Sequence, residues 1–547
     1  MSLLQNPKIY VISLILSSIW LCDSLVIHNL MTCSPKKNIL STTSPFLSNN
    51  RGYFSRQNVN SAHTGTHKDF KVEEDTDILP KEGSSLFDWK RHWYPIIPVQ
   101  DLDKSVPNPL SLLDIKLVAW FHSPSSSWRV FKDECPHRLV PLSEGRIESN
   151  SNCLQCAYHG WEFNEAGSCT KIPQQVRENS LSPSKACTIS YPAQVQQGLL
   201  WVFPFPDEIE SQKKNPNTIS QFDDDSFADS TQFFVRDLPY SWDILIENLC
   251  DPSHIPFAHH GIIRGADRDN PEQYGIEITH ESIDGFRAQK DPYPLNGKYN
   301  IRFEPPCLLF YDIVKTSEKK NEGETSKEGK QDTNTYIGLG NYCIPTGPGK
   351  CRIITRFPFK FPSAPIMKVI KATPRWFNHL SQNEVIDSDV VFLHAQDQIL
   401  QKSMQRRNQP KYYLPAKCDT MVIAFRKWLD RYTDKKVRGW MNGQDQLEVS
   451  SRLNLLDRFE QHTKVCSSCR IAHKNFKRLD STCFGLGLIA VAIAASGLFP
   501  KQKMALTTTG VFLSLVIPRT IIKPLISRLE YIPWPSMRWK KNNAPRK

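Results

Sequence analysis

The sequence predicts an α+β chain built from an N-terminal all-β domain, a larger α+β domain and a C-terminal transmembrane helical hairpin. Three observations lead to this prediction. Residues 87–205 contain short apolar and aromatic runs separated by Pro, Gly and Ser turns, a pattern typical of a small all-β domain. Residues 233–445 mix strand-like and helix-like patterns. Residues 482–518 hold two apolar runs without a charged side chain, as in two helices that cross a membrane.

Length, composition and charge exclude several classes of protein. With 547 residues the chain exceeds one ordinary domain, and 39% hydrophobic residues with 10% aromatics are typical of a globular protein. The net charge of +12 is concentrated in the terminal segments, beside the apolar runs. Because basic segments of this kind suit an anionic membrane surface, we expect no nucleic-acid partner. The 15 cysteines are scattered through a large chain, unlike the framework of a small disulfide-rich protein.

The first 68 residues have the composition of targeting segments. Residues 1–23 contain Lys8 and then the apolar run IYVISLILSSIWL, which is short for a membrane span and typical of a signal-peptide core. Residues 24–68 contain neither Asp nor Glu, and they are mildly basic and rich in Ser, Thr and Asn, as transit peptides are. Together the two segments predict two-step import into a plastid with extra bounding membranes. A single N-terminal anchor followed by a disordered linker is the alternative.

A cluster of cysteines and histidines lies in the stretch CPHRLVPLSEGRIESNSNCLQCAYHGW. Cys135 and His137 are two residues apart, and Cys156 and His159 are three apart. Two tight loops with one thiolate and one imidazole each can hold a Rieske 2Fe–2S cluster, with both cysteines on one iron and both histidines on the other. Zinc bound by Cys153, Cys156, Cys135 and one histidine is the alternative. Because zinc would leave one histidine unused, the spacing favours the iron–sulfur cluster.

A second group of metal-binding side chains follows in the stretch IENLCDPSHIPFAHHG, which includes Asn248, Asp251, His254 and His259. On an unbroken helix, residues five apart point about 140° away from each other. Pro256 lies between the two histidines and is expected to end or kink the helix, so that His259 turns back toward His254. Two imidazoles and one carboxylate form the facial triad of non-haem Fe(II) oxygenases, which leaves positions open for O₂ and substrate.

The carboxylate of this triad is expected on a predicted helix, Glu384–Leu400, which contains three aspartates. Asp389 shares one face of that helix with Gln396, seven residues later. Asp387 points away from this face, and Asp397 lies toward its edge. The helical pattern therefore leaves Asp389 and Asp397 as alternative ligands.

A third group of side chains lies in residues 446–480, which are predicted to form a tail before the hairpin. Cys466 and Cys469 have the C-x-x-C spacing of a dithiol–disulfide switch. Metal binding would need further ligands, and His462 and His473 are the histidines nearby in the sequence. Two exposed thiols without a function are the remaining alternative.

Three further segments complete the organisation. Residues 206–232 have little apolar periodicity and predict a linker between the two domains. Residues 317–334 are charged and low in complexity, which predicts a mobile insert between two strands. Residues 519–547 form a basic tail. Because Lys and Arg flank both outer ends of the hairpin, both ends are expected on the same, non-translocated side of a membrane. A buried apolar helix packed on the second domain is the alternative.

The motifs resemble those of a known family. The pattern CPHR, PLSEGRI and YHGWEF is similar to the Rieske domain of plastid oxygenases, and the run N-x-x-D-x-x-H-x-x-x-x-H resembles the iron site of Rieske non-haem oxygenases. Together with the C-x-x-C pair before the hairpin, residues 87–520 resemble the group of pheophorbide a oxygenase, chlorophyllide a oxygenase and the Rieske proteins of the plastid import translocon.

The resemblance implies a fold and a role for each site residue. It implies a β-sandwich with the cluster at its tip and a helix-grip-like catalytic domain. Since the family's carboxylate comes early in its helix, several residues before a Gln, Asp389 matches the third iron ligand better than Asp397. Asp251 would hydrogen-bond a metal histidine and bridge to a cluster histidine of the neighbouring subunit in a homotrimer. Asn248 would lie near the iron as a weak or outer partner.

The resemblance also implies an activity and a location. The chain would be a membrane-bound plastid oxygenase, in the envelope or the thylakoid, that uses O₂ and electrons from a ferredoxin-type donor. Its substrate would be a hydrophobic, pigment-like tetrapyrrole, and the C-x-x-C dithiol would be a target of thioredoxin. A redox-sensing component of a protein-import translocon is the alternative. A Rieske electron carrier without an oxygenase site would leave the second group of histidines unexplained.

Overall fold

The computed structural model describes residues 86–531, apart from several internal segments. The predicted signal-like and transit-peptide-like segments and the predicted mobile insert lie outside the described residues, as does most of the basic tail. The segments that are not described are 176–182, 225, 230–232, 264, 272, 292–296, 316–334, 362–363, 406–411 and 434–449.

Three antiparallel sheets form the N-terminal domain, which confirms the predicted all-β architecture. The sheet orders are β1-β11-β10, β2-β3-β4-β9 and β5-β6-β7-β8. The strands are β1 Tyr94–Pro98, β2 Asn108–Leu112, β3 Ile115–His122, β4 Ser127–Lys132, β5 Arg146–Ile147, β6 Leu154–Gln155, β7 Glu162–Phe163, β8 Cys169–Lys171, β9 Ser190–Tyr191, β10 Ala193–Gln196 and β11 Leu199–Val202.

A large antiparallel sheet with helices against it forms the second domain. Its strands follow the order β12-β20-β18-β17-β16-β15-β14, and β19 pairs with both β13 and β18. This sheet comprises β12 Ala228–Asp229, β13 Phe234–Leu238, β14 Gly275–Ser282, β15 Gly285–Asp291, β16 Gly297–Glu304, β17 Leu308–Lys315, β18 Thr335–Gly347, β19 Lys350–Arg356 and β20 Pro358–Lys360. The arrangement matches the mixed strand and helix patterns of the sequence.

Two helices of this domain position the predicted iron ligands. The helices in chain order are α1 Pro183–Ala186, α2 Glu208–Gln212, α3 Trp242–Cys250, α4 Ile255–Ala258, α5 Ala364–Ala372, α6 Arg375–Gln405, α7 Thr420–Tyr432, α8 Arg452–Leu455, α9 Ser467–Ser496 and α10 Pro500–Glu530. Helix α3 packs on β18 and β19, and α6 packs on α3 and β13. Because Trp242, Ile244 and Leu245 are all buried in the core, the end of α3 is held in a fixed position beside α6. The predicted helix around Asp389 is confirmed as part of α6.

Residues 206–232, predicted as a linker, pack onto the fold in their described part. Asp207 begins α2 by accepting hydrogen bonds from the backbone N–H groups of Ile209 and Glu210 at 2.9 and 3.1 Å. Ile219 and Phe222 then join the hydrophobic core. The prediction missed this packing because a few apolar side chains anchor a segment that is otherwise polar.

Residues 446–480, predicted as a tail, belong to the second domain where they are described. Arg458 forms an ion pair with Asp387 of α6 at 2.6 Å, and its side chain is 1% exposed. Cys466 and Cys469 are both 0% exposed, and α9 begins between them at Ser467. The segment therefore fastens the second domain to the first helix of the hairpin, which is a correction to the predicted tail.

Helices α9 and α10 form the predicted hairpin, with longer helices than the apolar runs alone indicate. Gly497, with φ of +75°, ends α9. The helices approach closely at Gly487, where an added Cβ would lie 2.6 Å from the carbonyl oxygen of Gly510. Small residues at such contacts are common between membrane helices. Both helices have the length and composition of a membrane span, with 17% of each apolar window buried.

Candidate functional site

The two cysteine–histidine pairs lie on loops with the same backbone hydrogen-bond pattern. In each loop the cysteine N–H donates to the carbonyl of the fifth following residue, and the N–H of the fourth donates to the cysteine carbonyl, at 2.8–3.1 Å. The fourth residue, Leu139 after Cys135 and Gly160 after Cys156, has φ of +60° or +73°. The equivalent turns present two thiols beside each other.

The histidines of these loops face each other at the same end of the domain. The ring centroids of His137 and His159 are 4.5 Å apart, and Trp161 stacks on His137 at 4.7 Å. The Nδ1 atom of His137 is buried without a hydrogen-bond partner in the described part of the chain. Cys153 instead donates to the carbonyl of Ser151 at 3.4 Å. The arrangement therefore favours the donor set with both histidines over the zinc alternative.

The chemistry of the thiols fits the same cluster. Cys135 and Cys156 are each 1% exposed. Burial raises the pKa of Cys135 to about 11, and the neighbouring Cys156 thiol raises it as well. Because the buried Cys135 thiol resists ionisation, a bound cation would be needed to hold it as a thiolate. Two such thiolates and two imidazoles are the ligands of a Rieske cluster, which transfers electrons one at a time when bound.

Replacing Cys156 with serine is expected to abolish the visible absorption and electron-resonance signal of the Rieske cluster. Turnover should fall with it, because electrons then no longer reach the second site, whereas the mononuclear iron should remain. The measurements are iron content and electron resonance of the reduced, full-length protein. Cys153→Ser is the matched control and should keep the signal. Loss of the signal in this control variant would contradict the assignment of the cysteines.

The helix ends before both predicted histidine ligands, earlier than the sequence indicated. Helix α3 ends at Cys250, and the side chain of Asp251 accepts a hydrogen bond from the N–H of Ser253 at 2.9 Å. Pro252 begins the single helical turn that follows. Pro256 lies in the first turn of α4, where its missing N–H leaves no hydrogen bond unmade. The predicted helix therefore ends at Asp251, and the two histidines lie on the short turns Pro252–His254 and Ile255–Ala258 and at their end.

The structure brings His254, His259 and Asp389 together. The Nε2 atoms of the two histidines are 3.2 Å apart. The Oδ2 atom of Asp389 lies 3.4 Å from the Nε2 of His259 and 3.8 Å from that of His254. The side-chain amide nitrogen of Asn248 lies 3.4 Å from the Nε2 of His254. Two imidazole nitrogens and a carboxylate oxygen at this spacing form the donor set of a 2-His-1-carboxylate iron site.

Outer hydrogen bonds set the tautomer of both histidines. The Nδ1–H of His259 donates to the hydroxyl of Ser388 at 2.6 Å, and this hydroxyl donates to the carbonyl of Val385 at 2.6 Å. The Nδ1–H of His254 donates to the carbonyl of Asp251. Each histidine therefore presents its Nε2 lone pair to the space between the two rings, as metal-binding histidines do. Ser388 was not predicted as a site residue, although it directly precedes the aspartate of the triad in the sequence.

The side chain of Asp251 forms hydrogen bonds within its own loop. It accepts hydrogen bonds from the N–H and the hydroxyl of Ser253, and its Oδ2 is 4.0 Å from the Nδ1 of His254. Asp251 thus contacts this histidine through its backbone carbonyl. The resemblance implied a hydrogen bond between the two residues but not which atom of Asp251 accepts it. The carboxylate is 31% exposed. The next residue after His259, His260, accepts a hydrogen bond from the N–H of Arg268 at 3.2 Å.

Asp397, the alternative third ligand, lies in a different environment. Its carboxylate accepts hydrogen bonds from the N–H and the hydroxyl of Ser241 at 2.7 and 2.8 Å. Burial raises the pKa of Asp397 to about 6, and the charge of Asp243 raises it as well. It is not part of the group formed by the two histidines and Asp389.

A large cavity opens beside the triad. It encloses about 1660 Å³ of empty space, part of which is open to solvent. Two polar side chains of its lining, Lys290 and Asn341, are 6% and 1% exposed. The Lys290 ammonium lies over two aromatic rings, with centroid distances of 5.4 and 5.6 Å. The aromatic lining comprises Phe234, Phe257, Tyr274, Tyr299, Tyr311 and Phe357. Such a cavity suits a large, mostly apolar ligand with a polar group at one end.

The C-x-x-C pair lies inside the protein. Cys466 and Cys469 are 0% exposed, which excludes two exposed thiols on a tail. Their sulfur atoms face the imidazoles of His462 and His379. His473, the other histidine near the pair in the sequence, instead contacts a glutamate of α10 at 2.7 Å.

Comparison with known protein families supports the two-domain assignment. Residues 92–192 match the family described as Rieske 2Fe–2S domain, and residues 303–407 match the family described as pheophorbide a oxygenase. The first match contains both cysteine–histidine loops. The second contains α6 and therefore Asp389.

Three relatives are similar over most of their length. Pheophorbide a oxygenase of Arabidopsis thaliana is 35% identical over 472 residues, which cover 81% of this chain and 83% of that protein. Flavonoid 8-hydroxylase 2 of Ocimum basilicum is 35% identical, with coverages of 80% and 83%. Protochlorophyllide-dependent translocon component 52 of Arabidopsis thaliana is 33% identical, with coverages of 74% and 77%. All three are chloroplast proteins, which supports a plastid location. The chain therefore belongs to the pheophorbide a oxygenase family and is a Rieske non-haem iron oxygenase, with a 2Fe–2S cluster and a mononuclear iron.

Proposed function

We propose that this chain is a plastid-membrane oxygenase that oxidises a hydrophobic tetrapyrrole of the pheophorbide or chlorophyllide type. In this proposal Cys135, His137, Cys156 and His159 hold the Rieske cluster. His254, His259 and Asp389 hold the mononuclear iron. A ferredoxin-type donor supplies the electrons. The observation that carries the proposal is the convergence of a 2-His-1-carboxylate donor set on a large, mostly apolar cavity.

The residues of the second site act by ligation, orientation and exclusion of water. Iron held by His254, His259 and Asp389 would supply O₂ activation with electrons from the cluster. Ser388 and the carbonyl of Asp251 fix the two imidazole rings, so that both Nε2 atoms stay directed at the position the iron would occupy. Asn248 lies close enough to position a bound molecule beside His254. The aromatic walls shield the reacting atoms from bulk water.

The lining and the charge of the cavity support the choice of substrate class. The cavity is lined mainly by apolar and aromatic side chains, and part of its empty space of about 1660 Å³ is open to solvent, so that a mostly apolar ring can enter it. Pheophorbides and chlorophyllides carry a free propionate on an otherwise apolar ring. Lys290 places a buried cation in the wall of the cavity, where a carboxylate would gain a charge-assisted hydrogen bond.

Replacing Lys290 with methionine is expected to weaken binding of a carboxylated tetrapyrrole. A hydrogen bond to a charged group contributes about 1.5–3 kcal/mol, so the KM should rise about tenfold to a hundredfold. Steady-state kinetics with the free acid and with its methyl ester separate charge from shape, since the ester should respond little. Lys298→Met, at an exposed position on β16, is the control. Equal responses of acid and ester would contradict a role of Lys290 in binding the carboxylate.

The proposed assembly is a homotrimer bound to a plastid membrane, envelope or thylakoid. Asp251 is partly exposed beside the iron site, and the cluster histidines are partly exposed at the end of their domain. These positions suit electron transfer between neighbouring subunits, with Asp251 as the contact. The apolar helices α9 and α10 would anchor the catalytic domain at the lipid surface, from which a hydrophobic substrate can enter the cavity.

Two relatives support second candidates. The flavonoid 8-hydroxylase, at 35% identity, favours a flavonoid as the alternative substrate. The translocon component, at 33% identity, favours a redox-sensing role in protein import, for which Cys466 and Cys469 of this chain would supply the dithiol. A thioredoxin would be the partner of the dithiol in that case. The buried position of both thiols does not favour this partner.

An isotope experiment tests the proposed function. The full-length chain is reconstituted with iron and cluster, reduced by ferredoxin and supplied with ¹⁸O₂. Pheophorbide, chlorophyllide, protochlorophyllide and flavones are each offered, and products are analysed by mass. We expect ¹⁸O in a tetrapyrrole product. Incorporation into flavones alone would overturn the substrate class. Uncoupled or absent O₂ consumption with every substrate would favour the translocon role.

A further inference from the structure

Four buried side chains form a second candidate metal site, apart from the cluster and the mononuclear iron. His379, His462, Cys466 and Cys469 place their ligating atoms within 4.8 Å of one another. All four residues are 0% exposed. They come from three parts of the chain: helix α6, the helical turn before α9, and the start of α9 itself.

The distances within this group match the edges of a tetrahedron around one zinc ion. The Nδ1 of His379 lies 3.1 Å from the Nε2 of His462 and 3.6 and 3.5 Å from the sulfurs of Cys466 and Cys469. The Nε2 of His462 lies 3.2 Å from the sulfur of Cys469. With Zn–S of about 2.3 Å and Zn–N of about 2.0–2.1 Å, tetrahedral angles give N–N edges of about 3.3 Å and N–S edges of about 3.5 Å.

The surroundings hold one ligand in the form that binds a metal. The Nδ1–H of His462 donates to the carbonyl of Val235 at 2.5 Å, which leaves the Nε2 lone pair directed at the group. The ring also stacks on Phe234, with centroids 4.7 Å apart. These contacts are the outer support that metal-binding histidines commonly have.

Burial distinguishes a closed metal site from a dithiol switch. Exchange with a thioredoxin requires attack on an accessible sulfur, whereas both sulfurs are enclosed. Two thiolates and two neutral imidazoles around Zn²⁺ have no net charge, so the site can be buried without an unpaired ion. A site with four protein ligands also leaves no open position for a substrate, as in structural zinc sites.

We propose that His379, His462, Cys466 and Cys469 bind a structural zinc ion. Binding displaces the two thiol protons to solvent, and no electron is transferred. The ion would join α6, which carries Asp389 ten residues or about 15 Å beyond His379, to the first helix of the hairpin. It would thereby fix the catalytic domain at its predicted membrane anchor.

Metal content and X-ray absorption of the full-length protein test this proposal. We expect about one zinc per chain in addition to iron, with an absorption fine structure of two sulfurs at about 2.3 Å and two nitrogens at about 2.0–2.1 Å. Cobalt in place of zinc should give the sulfur-to-metal absorption of a tetrahedral thiolate site. These measurements use the unaltered chain, so a variant that fails to fold does not affect them.

Two variants test whether the zinc site and the Rieske cluster use different cysteines. Cys469→Ser should lose the zinc and keep the Rieske electron-resonance signal, whereas Cys135→Ser should lose that signal and keep the zinc. Cys483→Ser is the control, because Cys483 is also buried but lies further along α9. It should keep both the zinc and the Rieske signal. The proposal is overturned if the purified chain holds no zinc, if Cys466 and Cys469 form a disulfide that thioredoxin reduces, or if the zinc has only nitrogen and oxygen ligands. None of these outcomes depends on which substrate is oxidised.

Discussion

Replacing Asp389 with alanine is expected to lower turnover at least 100-fold while the Rieske cluster remains intact. Loss of partners around a metal ligand already costs about 10- to 100-fold in affinity or activity, and this variant loses a ligand itself. Asp389 is the acidic member of the group with His254 and His259. The measurements are mononuclear iron content, single-turnover oxidation of the tetrapyrrole and electron resonance of the reduced cluster.

Asp397→Asn is the control for this variant, because Asp397 was the alternative ligand on the same helix. An asparagine side-chain oxygen can still accept the hydrogen bonds from the N–H and the hydroxyl of Ser241. The control should therefore keep both iron and turnover. If Asp397→Asn lost the iron and Asp389→Ala kept it, the assignment of the third ligand would be reversed.

Local periodicity was sufficient to predict the ligand-bearing elements. The spacing within each cysteine–histidine pair was enough to predict its loop, because backbone hydrogen bonds close each loop within six residues. Helical phase separated Asp389 from Asp387, since side chains two apart on a helix point in different directions. The choice against Asp397 came from the family resemblance. It agrees with the geometry because only one of the two carboxylates faces the histidines.

Contacts between distant parts of the chain were outside the reach of sequence patterns. His379 and His462 are 83 residues apart, so His379 could not be connected with the C-x-x-C pair. Ser388 contacts a histidine 129 residues earlier, and its role depends on how α6 packs on α3. The position of the helix break was missed for a different reason. A Pro252 turn capped by Asp251 competes with Pro256 as a break, and the two are four residues apart.

A buried cluster of charged side chains shows how the same helix supports both proposed metal sites. Asp387 accepts hydrogen bonds from Arg236 at 2.6 Å and from Arg458 at 2.7 Å. The two arginines are 0% and 1% exposed. Arg236 also contacts Gln461, next to His462. Because α6, β13 and the segment before α9 meet at Asp387, the geometry of both sites depends on this carboxylate.

Replacing Asp387 with alanine is therefore expected to lower the free energy of unfolding of the second domain by about 3–5 kcal/mol, the usual cost of removing one partner from a buried ion pair. Two like charges remain without their carboxylate, and each is too deeply buried to regain full hydration. Thermal and denaturant unfolding, followed by fluorescence and by the Rieske signal, should show the second domain unfolding first. Asp387→Asn keeps the side-chain volume and one of the two acceptor oxygens but removes the charge and turns an NH₂ group toward one arginine, so it should be intermediate. Equal stability of the alanine variant and the unaltered chain would mean that water enters the cluster and solvates the arginines, and α6 would then owe its position to apolar packing alone.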